Sequence, residues 1–217
     1  MKNISKYYHV KRINERELKI TGKAENSVWD KANVLDDFNS PWDTKKVKNI
    51  TFKALWDTEN FFFCFTVEDS EVYIDTTDDT ISSINNSDRV ELFFRTNMLL
   101  DSYYCLEIDP TPRIMDFKAR PNKQFDFSWY WPKKDISIQS YIQNEFFTIE
   151  GAISLDSLKA LNLLNNNKVE AGIYRAKYRQ EQNGSYDPTW ITWIDPNTEN
   201  PNFHVPSSFG TLKLINN

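Results

Sequence analysis

Glycine is scarce in this chain, five residues among 217. There is no glycine-rich loop to cradle a phosphate and no nucleophile-elbow motif, so nucleotide and serine-hydrolase chemistry both lack their scaffold. Histidine is scarcer, with only His9 and His204 available as a base for a serine or cysteine nucleophile. The two cysteines, Cys64 and Cys105, have no second cysteine or histidine at metal-ligand spacing and sit inside apolar strand patterns, so they read as buried thiols. Apolar runs are short, the longest being Phe61 to Phe65, and none has the length of a membrane span. No Lys/Arg block interrupts a formal charge of −5. The basic stripe that phosphate neutralisation requires is missing, and nucleic acid is not expected as a partner. The first twenty residues lack the apolar centre of a signal peptide. Two locations stay open: outside the cytoplasm if a leader has been removed, cytoplasmic if Met1 is the native start. The unpaired cysteines favour the second.

Aromatic bulk is plentiful: fifteen Phe, ten Tyr and seven Trp within a 40% hydrophobic composition. Such a chain folds, and residues 1–217 are read as a single domain and a monomer. Strand signals dominate. "NITFKALWD" alternates Ile50, Phe52, Ala54 and Trp56, and "FFFCFTVED" follows after a Thr58-Glu59-Asn60 turn, which predicts a hairpin with a central second strand. "DRVELFFRT" and "SYYCLEIDP" point Val90, Leu92, Phe94, Tyr104, Leu106 and Ile108 to the core. Their other faces mix charge with rings: Arg89, Glu91, Phe93 and Arg95, then Tyr103, Cys105, Glu107 and Asp109. A loop over Thr96 to Leu100 would pair Arg95 with Asp101, Phe93 with Tyr103, Glu91 with Cys105 and Arg89 with Glu107, setting opposite charges across from each other.

Further strands are predicted at Arg113–Lys118, Ile136–Gln143, Phe146–Ile153, Val169–Tyr178 and Gly210–Ile215. One short helix, "SLDSLKALN", starts from a Ser154 cap with Leu155, Leu158 and Leu161 on one face, and a second helical turn begins at Ser27. Asparagine, present 22 times, is suited to the left-handed turn positions that glycine would otherwise fill, as in the Asn165 to Asn167 run. The fold class is therefore all-β, an antiparallel β-sandwich of two sheets, jelly-roll-like, with one or two short helices.

In order along the chain, "LWD", "VED", "SDRVELFF", "FTIEGAISLDSL" and "WITWIDP…NFHVPSSFGTLKL" resemble carbohydrate-binding module family nine over roughly Glu17 to Leu214. The resemblance implies a β-sandwich, structural calcium in some members, and non-catalytic binding of glucan or xylan oligosaccharides or polysaccharides in carbohydrate catabolism. It also implies a sugar ring held between two tryptophans, one three residues before Asp-x-Val-Glu and one six residues before the terminal Phe-Gly. Asn85 and Phe203 stand at those positions here. The family carboxylate matches Glu91, and Glu107 stands where a family arginine is found on the following strand.

Sugar recognition needs a flat apolar ring for the C–H face and fixed polar groups for the hydroxyls. Glu91, Arg89, Glu107 and Asp109 are candidates for the second role; an ion-pair lattice on a solvated sheet face is the alternative. Phe203, in the proline-punctuated "NPNFHVPSS", reads as a stacking ring or a loop plug, with His204 beside it as a hydroxyl partner. In "QFDFSWYWP" the alternation places Phe125, Phe127 and Trp129 in the interior and leaves Tyr130 and Trp131 as substitutes for the absent tryptophan at Asn85. Trp190 and Trp193 read as core. No cofactor is required, though the acidic run "EDSEVYIDTTDD" offers Asp69, Asp75 and Asp78 as calcium ligands, with a solvated loop as the other reading. Haem between Met98 or Met115 and His204 has no support in spacing. A glycosidase would use Glu91 and Glu107, whose neighbouring arginines would lower both pKa values. A third reading is a protein-interaction sandwich that has lost sugar affinity.

Overall fold

In a computed structural model, which describes residues 6–216, the period-two patterns become thirteen strands. These are β1 (Tyr7–Arg12), β2 (Ile50–Trp56), β3 (Asn60–Glu68), β4 (Arg89–Arg95), β5 (Tyr103–Ile108), β6 (Ile114–Arg120), β7 (Gln124–Asp126), β8 (Ile136–Ile142), β9 (Phe146–Ser154), β10 (Leu164–Asn165), β11 (Lys168–Gln180), β12 (Tyr186–Thr192) and β13 (Gly210–Ile215). Met1, on which the choice of location turned, lies outside the described residues. Pairing follows the order β7-β6-β5-β4-β11-β13-β1-β2-β3-β9-β8, with β10 and β12 attached to β11. The two halves of this path share one core. Val90, Leu92, Phe94, Leu106, Ile108 and Ile173 pack in the same cluster as Phe52, Phe61, Phe63, Phe65, Phe147 and Ile149. This is the expected sandwich, but its sheet is mixed, because β1 lies parallel to both β13 and β2. Parallel pairing needs a long connection, and nothing in the local pattern of β1 reveals its direction.

Local chemistry explains the turns and caps. Asn166 and Asn167, both at positive φ, form the two-residue loop between Asn165 and Lys168, the geometry of a hairpin whose twist matches its strands. Asn122, Asn162 and Asn197 take the same backbone region elsewhere. Helix α1 (Ile81–Asn85), which the sequence pattern does not reveal, starts from a Thr80 cap, and α2 (Leu155–Ala160) starts from Ser154, whose Oγ accepts from Ser157 N at 3.0 Å. The turn at Ser27–Lys31 is a 3₁₀ helix capped by Asn26, one residue before the expected start.

The β4–β5 register differs from the expected one by two residues: Glu91 lies opposite Glu107, Phe93 opposite Cys105 and Arg95 opposite Tyr103. The loop is longer than five residues, because Thr96 N donates to Ser102 O at 3.1 Å and Asn97 Oδ1 takes Leu99 N. A slip of two preserves which face each side chain occupies, so the alternation could not detect it. Both faces of β4 and β5 are buried, which excludes a solvated lattice.

The aromatic stretch also divides differently. The strand β7 ends at Asp126, whose Oδ1 accepts from Ser128 N, and the turn breaks the alternation. Phe125 and Phe127 stay outside on Phe117, 37% and 48% exposed. Trp131 passes into the core, edge-on to Phe94, with Nε1 donating to Ser157 Oγ at 3.1 Å. Trp131 is therefore not a substitute for the missing tryptophan.

The acidic run does not converge either. Buried Asp69 pairs with Arg175 and with Lys177, whereas Asp75 and Asp78 accept through Oδ1 from Thr77 and Thr80. Among the described residues no group of three His, Cys, Asp or Glu is placed to hold a metal. Cys64 and Cys105 are free, buried and in separate apolar clusters. Among the described residues no helix is long and apolar enough to cross a membrane.

Candidate functional site

The odd-numbered face of β4 looks away from the shared core, and three of the side chains that sequence alternation placed on this face of β4 and β5, Arg89, Glu91 and Glu107, line a cavity of about 390 Å³. Arg89 and Glu91 come from β4, Glu107 from β5, Met115 and Phe117 from β6. Phe125 and Phe127, Trp190 of β12, Phe203 and His204 line its sides, with the His204 ring 4.9 Å from that of Phe125, and α1 contributes Ile81, Ser82 and Asn85. A smaller hollow of about 130 Å³ shares Trp190, Phe203 and His204 and is edged by Lys123, Pro201 and Asn202. A cavity of this size with mixed apolar walls and few polar groups falls within the range of small-ligand sites.

Arg89 organises the floor. Its Nε donates to Glu107 Oε2 at 2.6 Å, its Nη1 to the Asn85 carbonyl at 2.6 Å, and its guanidinium lies over Trp190 at 5.5 Å. The α1 terminus is thus tied to the strand, since the same Asn85 carbonyl also accepts from Tyr178 Oη. Glu91 Oε1 lies 3.0 Å from Arg89 Nε, but the N–H points to Glu107, and this buried oxygen has no hydrogen-bond partner. Burial and the facing Glu107 carboxylate, partly opposed by Arg89, push the Glu91 carboxyl up to about 8. Burial raises Glu107 as well, against the pull of Arg89. The arginine was expected to depress both carboxyls; desolvation outweighs it because the strand face is covered.

Phe203 is less free than its loop suggested. It stacks on Tyr174 at 4.0 Å and is only 5% exposed, so one ring face is already taken. Tyr174 in turn folds back over Gly172, where a Cβ would collide with the phenol ring, and donates to Ser208 Oγ at 2.8 Å. We expect Gly172→Ala to cost about 1–3 kcal/mol of stability in urea unfolding, since the ring must move; an unchanged midpoint would show that Tyr174 yields freely. His204 lies on Phe93 at 5.1 Å with Nδ1 3.1 Å from Tyr103 Oη, and burial pushes it down to about 3. It is a neutral imidazole throughout the ordinary pH range.

Six of the eight residues singled out as sugar ligands meet here: Asn85, Arg89, Glu91, Glu107, Phe203 and His204. Asp109 does not. It caps Thr111 N at 2.8 Å and pairs with Arg113 at 2.7 Å, holding the β5–β6 turn. Met98 lies against Arg95, apart from the cavity that Met115 and His204 line, so the three haem candidates do not converge.

With this geometry established, comparison decides the family. The profile described as "Carbohydrate family 9 binding domain-like" matches residues 20–217. The chain belongs to that family. Three solved structures share the family-nine fold. A candidate carbohydrate-binding protein from Bacteroides uniformis is 17% identical, with a TM-score of 0.71 over 97% of this chain and 100% of its own. A family-nine module from Caldicellulosiruptor kristjanssonii, solved with glucose, is 16% identical with a TM-score of 0.61 over 98% and 97%. The same module with cellotriose gives 16% and 0.61 over 98% and 95%. No curated protein matches at the same stringency.

Against the family pattern, the walls Phe125, Phe127 and Trp190 are the site residues that sequence reasoning missed. Trp190 carried a usable signal: it and Trp193 differ by an odd number, so a strand cannot turn both to one face. Trp193 is core and Trp190 is cavity wall. For Phe125 and Phe127 the shared parity was visible, but not which face it served.

Proposed function

We propose that the chain works as one non-catalytic carbohydrate-binding module, with a neutral sugar of the glucan or xylan type entering the Arg89–Glu91–Glu107 cavity. The observation that carries this reading is the partnerless Glu91 Oε1 beneath exposed aromatic walls. A buried polar atom without a partner costs about 1–3 kcal/mol, which a ligand hydroxyl relieves. Phe125, Phe127 and Trp190 offer ring surface for the C–H face of a pyranose, replacing the tryptophan absent at Asn85. Family membership and the glucose and cellotriose held by the C. kristjanssonii relative point the same way.

Calorimetric titration with glucose, cello-oligosaccharides and xylo-oligosaccharides tests it. Trp190→Ala is expected to weaken binding at least tenfold, about 1.4 kcal/mol, by removing a wall and the surface under Arg89. Equal affinity in the variant would move the site elsewhere.

The elevated Glu91 pKa is the one feature shared with a glycosidase acid. Hydrolysis needs carboxyls on either side of a bond, whereas Glu91 and Glu107 approach the same Arg89 Nε from one floor. Release of reducing sugar from a polysaccharide panel would overturn the non-catalytic reading.

A further inference from the structure

We infer that the cavity is one end of a longer track, and that its ligand is a neutral glycan chain continuing along β12 to an aromatic platform made by Tyr186 and Tyr73. This rests on the carbohydrate reading above and extends it from a sugar unit to a chain.

Register places the track. Ala176 pairs with Trp190, Tyr178 with Pro188 and Gln180 with Tyr186. Trp190, Pro188 and Tyr186 therefore alternate along one face of β12, the face whose first ring walls the cavity. From Trp190 to Tyr186 is four residues, roughly 13 Å of strand. That separation exceeds one sugar ring, so only a chain engages both ends.

Packing links the two ends. Tyr186 stacks on Tyr73 at 3.6 Å with planes 15° apart, and Tyr73 leans on Tyr178 at 6.3 Å. Tyr178 shares the Asn85 carbonyl with Arg89 of the cavity floor. A continuous chain of contacts thus joins the platform to the primary site.

Neither tyrosine of the stacked pair belongs to the three apolar clusters that hold the layers together, and Tyr186 is 39% exposed. Stacking on another ring presents a flat, supported surface, the form that suits a pyranose face. Asp75, two residues from Tyr73 and accepting from Thr77 N, sets a carboxylate beside the platform that disfavours a polyanion.

The test is the dependence of affinity on chain length, measured by calorimetry with cello- and xylo-oligosaccharides from one to six units. The native protein is expected to gain three- to tenfold between the trimer and the hexamer. Tyr186→Ala is expected to abolish that gain while leaving monosaccharide affinity unchanged, and Tyr186→Phe, which keeps the ring, to retain it. A flat dependence in the native protein, or a gain that survives in Tyr186→Ala, overturns the track and leaves the cavity reading standing. Failure of glucose, xylose and every oligomer to bind overturns the carbohydrate reading itself, and the track with it.

Discussion

Glu91→Gln is expected to remove most of a fall in stability that the native protein shows as pH rises from about 4.5 to about 8. In the unfolded chain this carboxyl ionises near its ordinary value, whereas in the folded protein burial and Glu107 push it up to about 8. Between those limits the unfolded chain has released a proton that the folded protein still holds. Stability therefore declines through the window, at about 1.4 kcal/mol per pH unit for one group, and levels off above it. Glu107, raised in the same direction by burial, adds to the slope, and Arg89 moderates it. Glutamine keeps the size and cannot ionise. At pH 8 the variant is expected to exceed the native protein by a few kcal/mol, on the order the linkage relation allows, and to match it at pH 4.5. Urea unfolding at both pH values decides this. Native and variant curves that stay parallel across the window would mean that Glu91 is ionised in the folded protein, and the cavity floor would then carry a different charge from the one described.

Asp88→Ala is expected to cost about 3–5 kcal/mol, because it strips an anion from a buried cluster and leaves cations behind. Asp88 is fully buried and accepts from Lys177 Nζ at 2.9 Å, Tyr178 N at 2.6 Å and Tyr73 N at 3.0 Å. Lys177 also meets Asp69 at 2.9 Å, and Arg175 pairs with Asp69 beside it. Two anions and two cations thus balance within the protein, and removing one carboxylate also orphans two backbone donors. Asp88 precedes Arg89 and clamps the β11 strand at Tyr178, so its loss reaches the cavity floor through both neighbours. Asp88→Asn, which keeps acceptor capacity without charge, is expected to fall between. Denaturant midpoints measure the series. A loss below about 1 kcal/mol for the alanine variant would show that water reaches the cluster and supports the remaining charges.

Much of this architecture was legible in the residues themselves. Alternation located β2, β3, β4, β5 and β9 within a residue or two, and Ser154 marked the start of α2. Asparagine did substitute for glycine at left-handed positions, most clearly at Asn166 and Asn167. The ordered motifs pointed to family nine, and the shared parity of Arg89 and Glu91 placed them on one face. Other features had no local trace. The β4–β5 slip by two residues left every face unchanged, so only the longer loop revealed it. The expected pairing of opposite charges across the strands gave way to two facing glutamates, which is tolerable because Arg89 sits between them and Glu91 holds its proton.

The sequence by itself determined which side chains lie on which face of each strand, because a β-strand alternates sides regardless of what surrounds it. That rule, with the family motifs, put Arg89, Glu91 and Glu107 together. Only the tertiary structure decided which face is covered and by what. The turn after β7 sends Trp131 inward and holds Phe125 and Phe127 outside, and the loop at Phe203 closes over Tyr174. Burial, and with it the raised Glu91 pKa and the shape of the cavity, depends on segments distant in sequence packing over the same strands, and no local pattern encodes that contact.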